Sequence, residues 1–471
     1  MFGLDTTYTI LLILCLFAAC AFEFINGFHD TANAVATVIY THSLKPTTAV
    51  VWSGLWNFIG VNVGGIAVAM GIVNLLPVEL LVDKNLLHGL SMILPLIITA
   101  IIWNLATWYI GMPCSSSHTL IGSIFGVGLA YYLIPGSHSS ALNWGKVIDV
   151  GLSLFISPVL GFAIAIILMF ILRKLVHNNQ IFNEPTSKKP PPMWIRSILV
   201  LTCTSVSYAH GSNDGQKGVG LIMLILIAFS PVFFSVDRSK HPENLLYETK
   251  QIEWNLRKID QKVLSITEQS ALDTVFSNLT FIKQKLAGIR SFDDLEHEDH
   301  FNIRKCIILV SKKTEMLLKK IQTYPGSNIS GIQISIIRSN LRDFKTNTEY
   351  APRWVILLVS ISLGLGTMIG WKRIVVTIGE KIGKTHMSYA QGASANLVAT
   401  ITILASSWLG LPVSTTHVLS SGVAGTMVAG SGRQNLRMGT VKSIALAWLI
   451  TLPVTILLSG ILFFVLRTIF V

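Results

Sequence analysis

The chain has 471 residues, 51% of them hydrophobic and only 13% charged, with a mean hydropathy of +0.60. That composition excludes an ordinary soluble globular protein and points to a polytopic membrane protein. The formal charge of +12 does not indicate nucleic acid, because the basic residues gather in short loops, such as Arg173, Lys174, Lys188, Lys189 and Arg196, as membrane-flanking anchors do.

Taken in chain order, the apolar runs of the first half lie near 7–25, 32–41, 48–76, 92–111, 119–135 and 147–172. Those of the second half lie near 194–209, 219–236, 354–371, 394–411, 418–430 and 440–470. Several reach the roughly 20 residues that a bilayer crossing needs, so about ten to twelve α-helical membrane elements are expected. The shorter runs adjoin polar motifs, which predicts broken or half-length helices. The first run, Tyr8 to Phe24, has no basic segment ahead of it and leads straight into a polar motif, so it reads as a retained helix rather than a leader. Cys15, Cys20, Cys114 and Cys203 sit in or beside apolar runs and Cys306 stands alone, a distribution with neither a disulfide framework nor metal-type spacing.

Two motifs occur twice, in the same order. GFHDTANAVATVI at 27–39 is answered by GSNDGQKGVGLIM at 211–223, and GMPCSSSH at 111–118 by GLPVSTTH at 410–417. Gly27 and Gly111 are 84 residues apart, whereas Gly211 and Gly410 are 199 apart. The excess of 115 matches the 114 residues of 237–350, which hold 18 of the 36 Lys and Arg and 15 of the 24 Asp and Glu. The chain therefore reads as two membrane repeats, with a polar segment inserted in the second. The expected boundaries are 1–176 for the first repeat, 177–193 for a linker, 194–236 for the start of the second repeat, 237–350 for the insertion and 351–471 for the remainder. Apolar residues at three- and four-residue spacing make the insertion helical. Its DDLEHEDH stretch at 293–300 is either a solvated acidic loop or a divalent-cation site.

Nine acidic residues lie outside the insertion, and Glu23, Asp30 and Asp214 are the ones embedded in or abutting apolar runs. A carboxylate in hydrocarbon costs several kcal/mol unless it is paired or hydrated, so these positions are functional candidates. Gly27 and Gly211 would permit breaks in the helix, and Asn33, Asn213 and Gln216 add amide oxygens suited to a small hard cation. His29, His210 and Lys217, with His118 and His417, add groups able to hold or relay a proton. In the second motif pair, Gly-x-Pro interrupts a helix and places Ser115, Ser116 and Ser117, or Ser414, Thr415 and Thr416, in the first turn of the next one. Hydroxyls, open backbone N–H groups and the positive end of the helix dipole make an anion site there. An anion cradle beside cation-holding carboxylates, built from two repeats, is the design of a secondary symporter rather than an enzyme. No Walker A or dinucleotide-binding sequence is present.

GFHDTANAVATVIYT, SSSHTLIG, HGSNDGQKGVGLIM, GTMIGWKRIVVTIGEKIGK and GLPVSTTHVLSSGVAGTM resemble the Pit family of inorganic phosphate transporters, in particular its bacterial low-affinity type. The resemblance covers nearly all of the chain outside 237–350. It implies an all-α polytopic fold of two inverted repeats with broken helices, plus the helical soluble insertion, in the cell inner (plasma) membrane. It implies symport of inorganic phosphate with a cation, with no enzymatic cofactor. Members similar to this one carry phosphate with protons, as a neutral complex with a divalent metal such as Mg²⁺, whereas other branches use Na⁺. The family's Asp positions fall on Asp30 and Asp214, its Asn positions on Asn33 and Asn213, and its hydroxyl-His motifs on Ser115 to His118 and Ser414 to His417. His29 in the first motif and Gln216-Lys217 in the second depart from the family's symmetric pattern and favour protons over Na⁺. The expected partners are phosphate, a divalent cation and the lipid bilayer, with a homodimer as a candidate assembly. The competing readings are a Na⁺-coupled carrier, a channel or exchanger for another oxyanion such as sulfate or arsenate, and a receptor in which the insertion is the working part.

Overall fold

The structure is a computed structural model and describes residues 2–75, 86–134, 144–185, 189–259, 264–322 and 330–470. Among the described residues it is all-helical, with a single isolated bridge between Gly383 and Leu436. Two compact units are present. Among the described residues the larger comprises 10–75, 86–225 and 351–470, and the smaller comprises 2–9 and 226–350.

In the larger unit the first half supplies α1 (Thr6–Tyr40), α2 (Pro46–Val63), α3 (Ala67–Val73), α4 (Leu86–Ile110), α5 (Ser116–Tyr132) and α6 (Trp144–Leu175). The second half begins with α7 (Met193–Phe229). After the insertion, α13 (Arg353–Met368), α14 (Lys372–Glu380), α15 (Tyr389–Trp408), α16 (Thr415–Ser431) and α17 (Met438–Phe470) follow in the same order of long, bent, long, short and long helices. The correspondence reaches details: α5 and α16 each have 17 residues, and α6 and α17, with 32 and 33, each carry an internal proline, Pro158 and Pro453. The halves interlock, with α6 packed on α16, α17 on α5 and α13 on α2.

Four described helices are long and apolar enough to cross a bilayer alone: Thr6–Tyr40, Leu87–Ile110, Val147–Leu175 and Met438–Phe470. Two bent pairs, α2 with α3 at 73° and α13 with α14 at 65°, bring the count to as many as six. The remaining described apolar runs form shorter or polar-interrupted helices. Large apolar side chains face outward along α6 and α17, with Phe155 and Leu449 each 74% exposed, as lipid-facing helices require.

The expected breaks at Gly27 and Gly211 do not occur, because α1 and α7 run straight through them. These glycines serve close approach instead. A Cβ on Gly27 would lie 2.5 Å from the Leu363 carbonyl oxygen, and one on Gly211 would lie 2.2 Å from that of Asn57. The chain turns elsewhere, at Gly65, Gly111, Gly370 and Gly410, whose φ of 77°, 75°, 74° and 67° lie in the left-handed region that only glycine enters cheaply.

The smaller unit contains a short turn, α8 (Pro231–Phe234), and the helices α9 (Pro242–Leu256), α10 (Ile266–Leu286), α11 (His297–Ile321) and α12 (Gly331–Lys345). Ser265 and Ser330 begin α10 and α12 with reciprocal capping boxes. The apolar stripes close on a core that includes Leu245, Ile252, Leu279, Ile307, Ile337 and Phe344. The carboxylates of the 293–300 stretch are used locally: Asp293 pairs with Arg238 at 3.0 Å, Asp294 accepts from the Ser291 N–H, and Asp299 pairs with Lys285 at 2.9 Å. The segment's two ends meet, the Asp237 N–H donating to the Asn347 carbonyl at 2.8 Å. The buried Arg304 clamps them from within by donating to the Ser235 and Thr348 carbonyls.

Candidate functional site

The site is assembled at two helix starts. Ser115 and Ser414 are the N-caps of α5 and α16, their side chains accepting from the His118 and His417 N–H at 3.2 and 3.1 Å. The Gly-x-Pro segments ahead of them are held by the opposite half of the chain. Trp448 donates its indole N–H to the Pro113 carbonyl at 3.2 Å, and Ser153 donates to that of Pro412 at 2.9 Å. Ser117 adds a direct tie between the two turns, donating to the Val413 carbonyl at 2.6 Å.

These two helix starts converge on the carboxylates. Ser116 donates to Asp30 Oδ2 at 3.1 Å, Thr416 donates to Asp30 Oδ1, and Thr415 donates to Asp214 Oδ2 at 3.2 Å. Asp30 thus accepts a hydroxyl from each half. Lys217, fully buried, places its ammonium 2.6 Å from Asp214 Oδ2 and donates to Ser116 and Ser117 at 3.0 and 2.7 Å. His210 stands between the two acids, with Nε2 3.3 Å from Asp214 and 3.9 Å from Asp30, while Nδ1 is 2.9 Å from Asn57 Oδ1. His29 places Nδ1 3.7 Å from Asp30 and Nε2 3.2 Å from the Thr107 hydroxyl. Every one of these groups is at most 6% exposed, so each charge must be balanced within the cluster.

One ligand atom from each of Asp30, His210 and Asp214 lies within 4.8 Å of the others, a donor set of two hard oxygens and one imidazole that suits a divalent cation. Lys217 already neutralises Asp214, so a cation entering there would compete with an ammonium.

Other sequence-predicted residues are placed differently. Asn213 turns its amide to Ser407 at 2.9 Å and its oxygen to the Val413 N–H, bracing the turn before α16. Gln216 serves the bend between α2 and α3: its oxygen accepts from the Val68 N–H at 2.7 Å and its amide donates to the Gly64 carbonyl at 2.9 Å. The His118 and His417 rings meet at a tilt, with centroids 4.4 Å apart, and His417 stacks on Trp448 at 3.9 Å. They line a largely apolar cavity of about 670 Å³ with Phe155, Pro158 and Trp448. Glu23 lies apart from the hydroxyl turns, accepting from Asn26 at 3.2 Å. The Asn33 side chain is outside the described residues.

Sequence reasoning missed Asn57. It is a buried amide in an apolar run, directly after a tryptophan, and the signal was the one that marked the acids: a strongly polar group where hydrocarbon is expected. Asn57 joins His210 to Thr367, donating to the latter at 2.9 Å.

Comparison with known proteins decides what this arrangement belongs to. The model of the phosphate transporter family matches residues 26–459. The chain belongs to that family. It is 42% identical to the low-affinity inorganic phosphate transporter of Buchnera aphidicola subsp. Acyrthosiphon pisum (strain APS), over 98% of this chain and 97% of the relative. It is 41% identical to the low-affinity inorganic phosphate transporter PitA of Escherichia coli (strain K12), over 97% of each. Among solved structures, a protein described as the sodium-dependent phosphate transporter superposes with a TM-score of 0.55 at 21% identity, covering 98% of this chain and all of that one. That likeness is one of fold. As a member of the phosphate transporter family, the chain is a membrane transporter rather than an enzyme.

Proposed function

We propose that this phosphate transporter is a secondary symporter, which imports inorganic phosphate together with protons across the inner membrane and takes the phosphate as a neutral complex with a divalent metal. The observation that carries the reading is the meeting of two hydroxyl-led helix starts on one carboxylate: Ser116 and Thr416, 300 residues apart in the chain, both donate to Asp30. A site that presents hydroxyls and helix N-termini from both halves to one negative group is built to surround an oxyanion. Ser115, Ser116, Ser117, Ser414, Thr415 and Thr416 are assigned to phosphate, with Ser115 and Ser414 acting as caps that shape the turns. Asp30, Asp214 and His210 are assigned to the cation side, with His29 supporting Asp30 and Asn213 bracing the turn before α16.

Charge balance supports the co-substrates. Lys217 is the one Lys or Arg in the cluster, and it is matched by Asp214. A doubly charged phosphate would therefore enter a buried site without enough positive charge, unless a metal ion and protons come with it. The donor set of Asp30, His210 and Asp214 fits a metal ion carried as cargo alongside phosphate.

The test is uptake into proteoliposomes, with pH and Na⁺ gradients imposed separately and Mg²⁺ added or withheld. The reading expects uptake to follow the inward proton gradient and to rise with Mg²⁺. Uptake that survives collapse of the pH gradient and stops when Na⁺ is withdrawn would replace the proton with Na⁺. Equal uptake of sulfate would broaden the substrate to oxyanions in general.

A further inference from the structure

Glu23 is the buried acid that the phosphate site does not use. It lies on α1, fully buried, seven residues before Asp30 and two turns away on the same helix. Its one hydrogen bond among the described residues comes from Asn26 to Oε2, and Oε1 has none. Asn26 is itself fully buried, and its side-chain oxygen also lacks a partner. The contrast with Asp30 and Asp214 is sharp, since both of those are met by hydroxyls and have basic side chains within ion-pair distance.

Packing closes one side of Glu23 to a coordinated metal ion. Gly218 on α7 leaves the notch that the carboxyl fills, and a Cβ there would come within 2.2 Å of Glu23 Cγ and 2.8 Å of Oε1. A metal ion with its own shell of several ligands has no room on that side, whereas a proton needs none. A buried carboxylate with a single amide donor and no cation paired to it is costly, and adding a proton removes the charge.

We propose that Glu23 is the site of the coupling proton, carried as a neutral carboxylic acid on α1 and separate from the phosphate cluster. The inference rests on the proton-symport reading above. The groups that face it explain how the proton is linked to substrate. From α7 come Lys217, Asp214 and His210, which act on Glu23 through their charges, and from its own helix comes Cys20. From α13 comes the uncharged Gly366, packed on Phe24. Lys217 is the link: it holds Asp214, Ser116 and Ser117, and its neighbour Gly218 is the residue against which Glu23 packs. When phosphate and its metal change how Lys217 is engaged, the positive charge that acts on Glu23 from α7 changes, and so does its hold on the proton. One proton adds to one carboxylate oxygen on one side of the membrane and leaves it on the other.

Glu23→Gln mimics the protonated acid permanently. In proteoliposomes E23Q is expected to lose at least tenfold of the accumulation driven by an inward proton gradient. Its counterflow of labelled against unlabelled phosphate, which needs no net proton movement, persists and no longer varies with pH. Glu23→Asp keeps a titrating group at a shifted position, so it is expected to retain accumulation with a displaced pH midpoint. Proton-driven accumulation by E23Q with wild-type pH dependence overturns the proposal, as does an unshifted midpoint in E23D if E23Q fails to reach the membrane. Failure of the symport reading looks different, because wild-type uptake itself would then be indifferent to the proton gradient.

Discussion

Asp30 is the residue on which both halves of the transporter close. Its two oxygens are met by Ser116 and Thr416, and Asp214 is met by Thr415 and Lys217, so neither acid can be replaced by a group that merely fills its volume. Asp30→Asn and Asp214→Asn are each expected to abolish gradient-driven phosphate uptake, with folded protein still recovered from the membrane. Wild-type rates in both variants would remove the acids from the mechanism. The hydroxyls give a graded test. Ser116→Ala and Thr415→Ala each delete a hydrogen bond to a charged partner, worth about 1.5–3 kcal/mol, so apparent affinity for phosphate is expected to fall at least tenfold. Unchanged half-saturation in the two variants would move the anion site elsewhere.

At the scale of the elements, the decisive feature is how closely the helices approach. Both motif glycines are explained by a neighbouring backbone: Gly27 meets α13 and Gly211 meets α2. A methyl group on Gly211 has only the Asn57 backbone to push against, 2.2 Å from its oxygen, and Asn57 also orients His210. Gly211→Ala is therefore expected to destabilise the fold by about 1–3 kcal/mol, visible as a lower midpoint of thermal unfolding in detergent, and to reduce uptake along with it. A variant with wild-type stability would mean that the two helices can separate freely. The sequence could not distinguish a glycine that breaks a helix from one that lets two helices touch, since both uses need only a missing Cβ. The breaks it did announce, at the Gly-x-Pro pairs, are local. Proline and a left-handed glycine stop a helix whatever surrounds them.

At the scale of the whole molecule, the two halves follow one order of elements, and the insertion lies within the smaller unit, which has a core of its own. Its ends are joined by the Asp237–Asn347 hydrogen bond and the Arg304 clamp, so they leave and re-enter at nearly the same point. Removing 237–350 and bridging the gap with a short flexible linker is therefore expected to leave phosphate uptake within about threefold of wild type, the gap being one a few residues can span. Complete loss of transport by a deletion protein that still reaches the membrane would make the insertion part of the transport cycle.

Hydropathy and capping chemistry are properties of short stretches, which is why the sequence by itself determined the membrane class, the all-helical fold and the starts of α5 and α16. The same reasoning singled out Asp30, Asp214, Lys217, Ser116, Thr415 and Thr416, because charge and hydroxyls within apolar runs need a reason to be there. Only the tertiary structure decided which of them meet. It placed Thr416 rather than Thr415 on Asp30, turned Gln216 to the bend between α2 and α3, set His118 against His417 beside an apolar cavity, and left Glu23 with Asn26. The physical reason is that a side chain's direction on a helix is settled by 3.6 residues per turn, whereas its partner depends on the rotation and crossing of another helix, often hundreds of residues away in the chain.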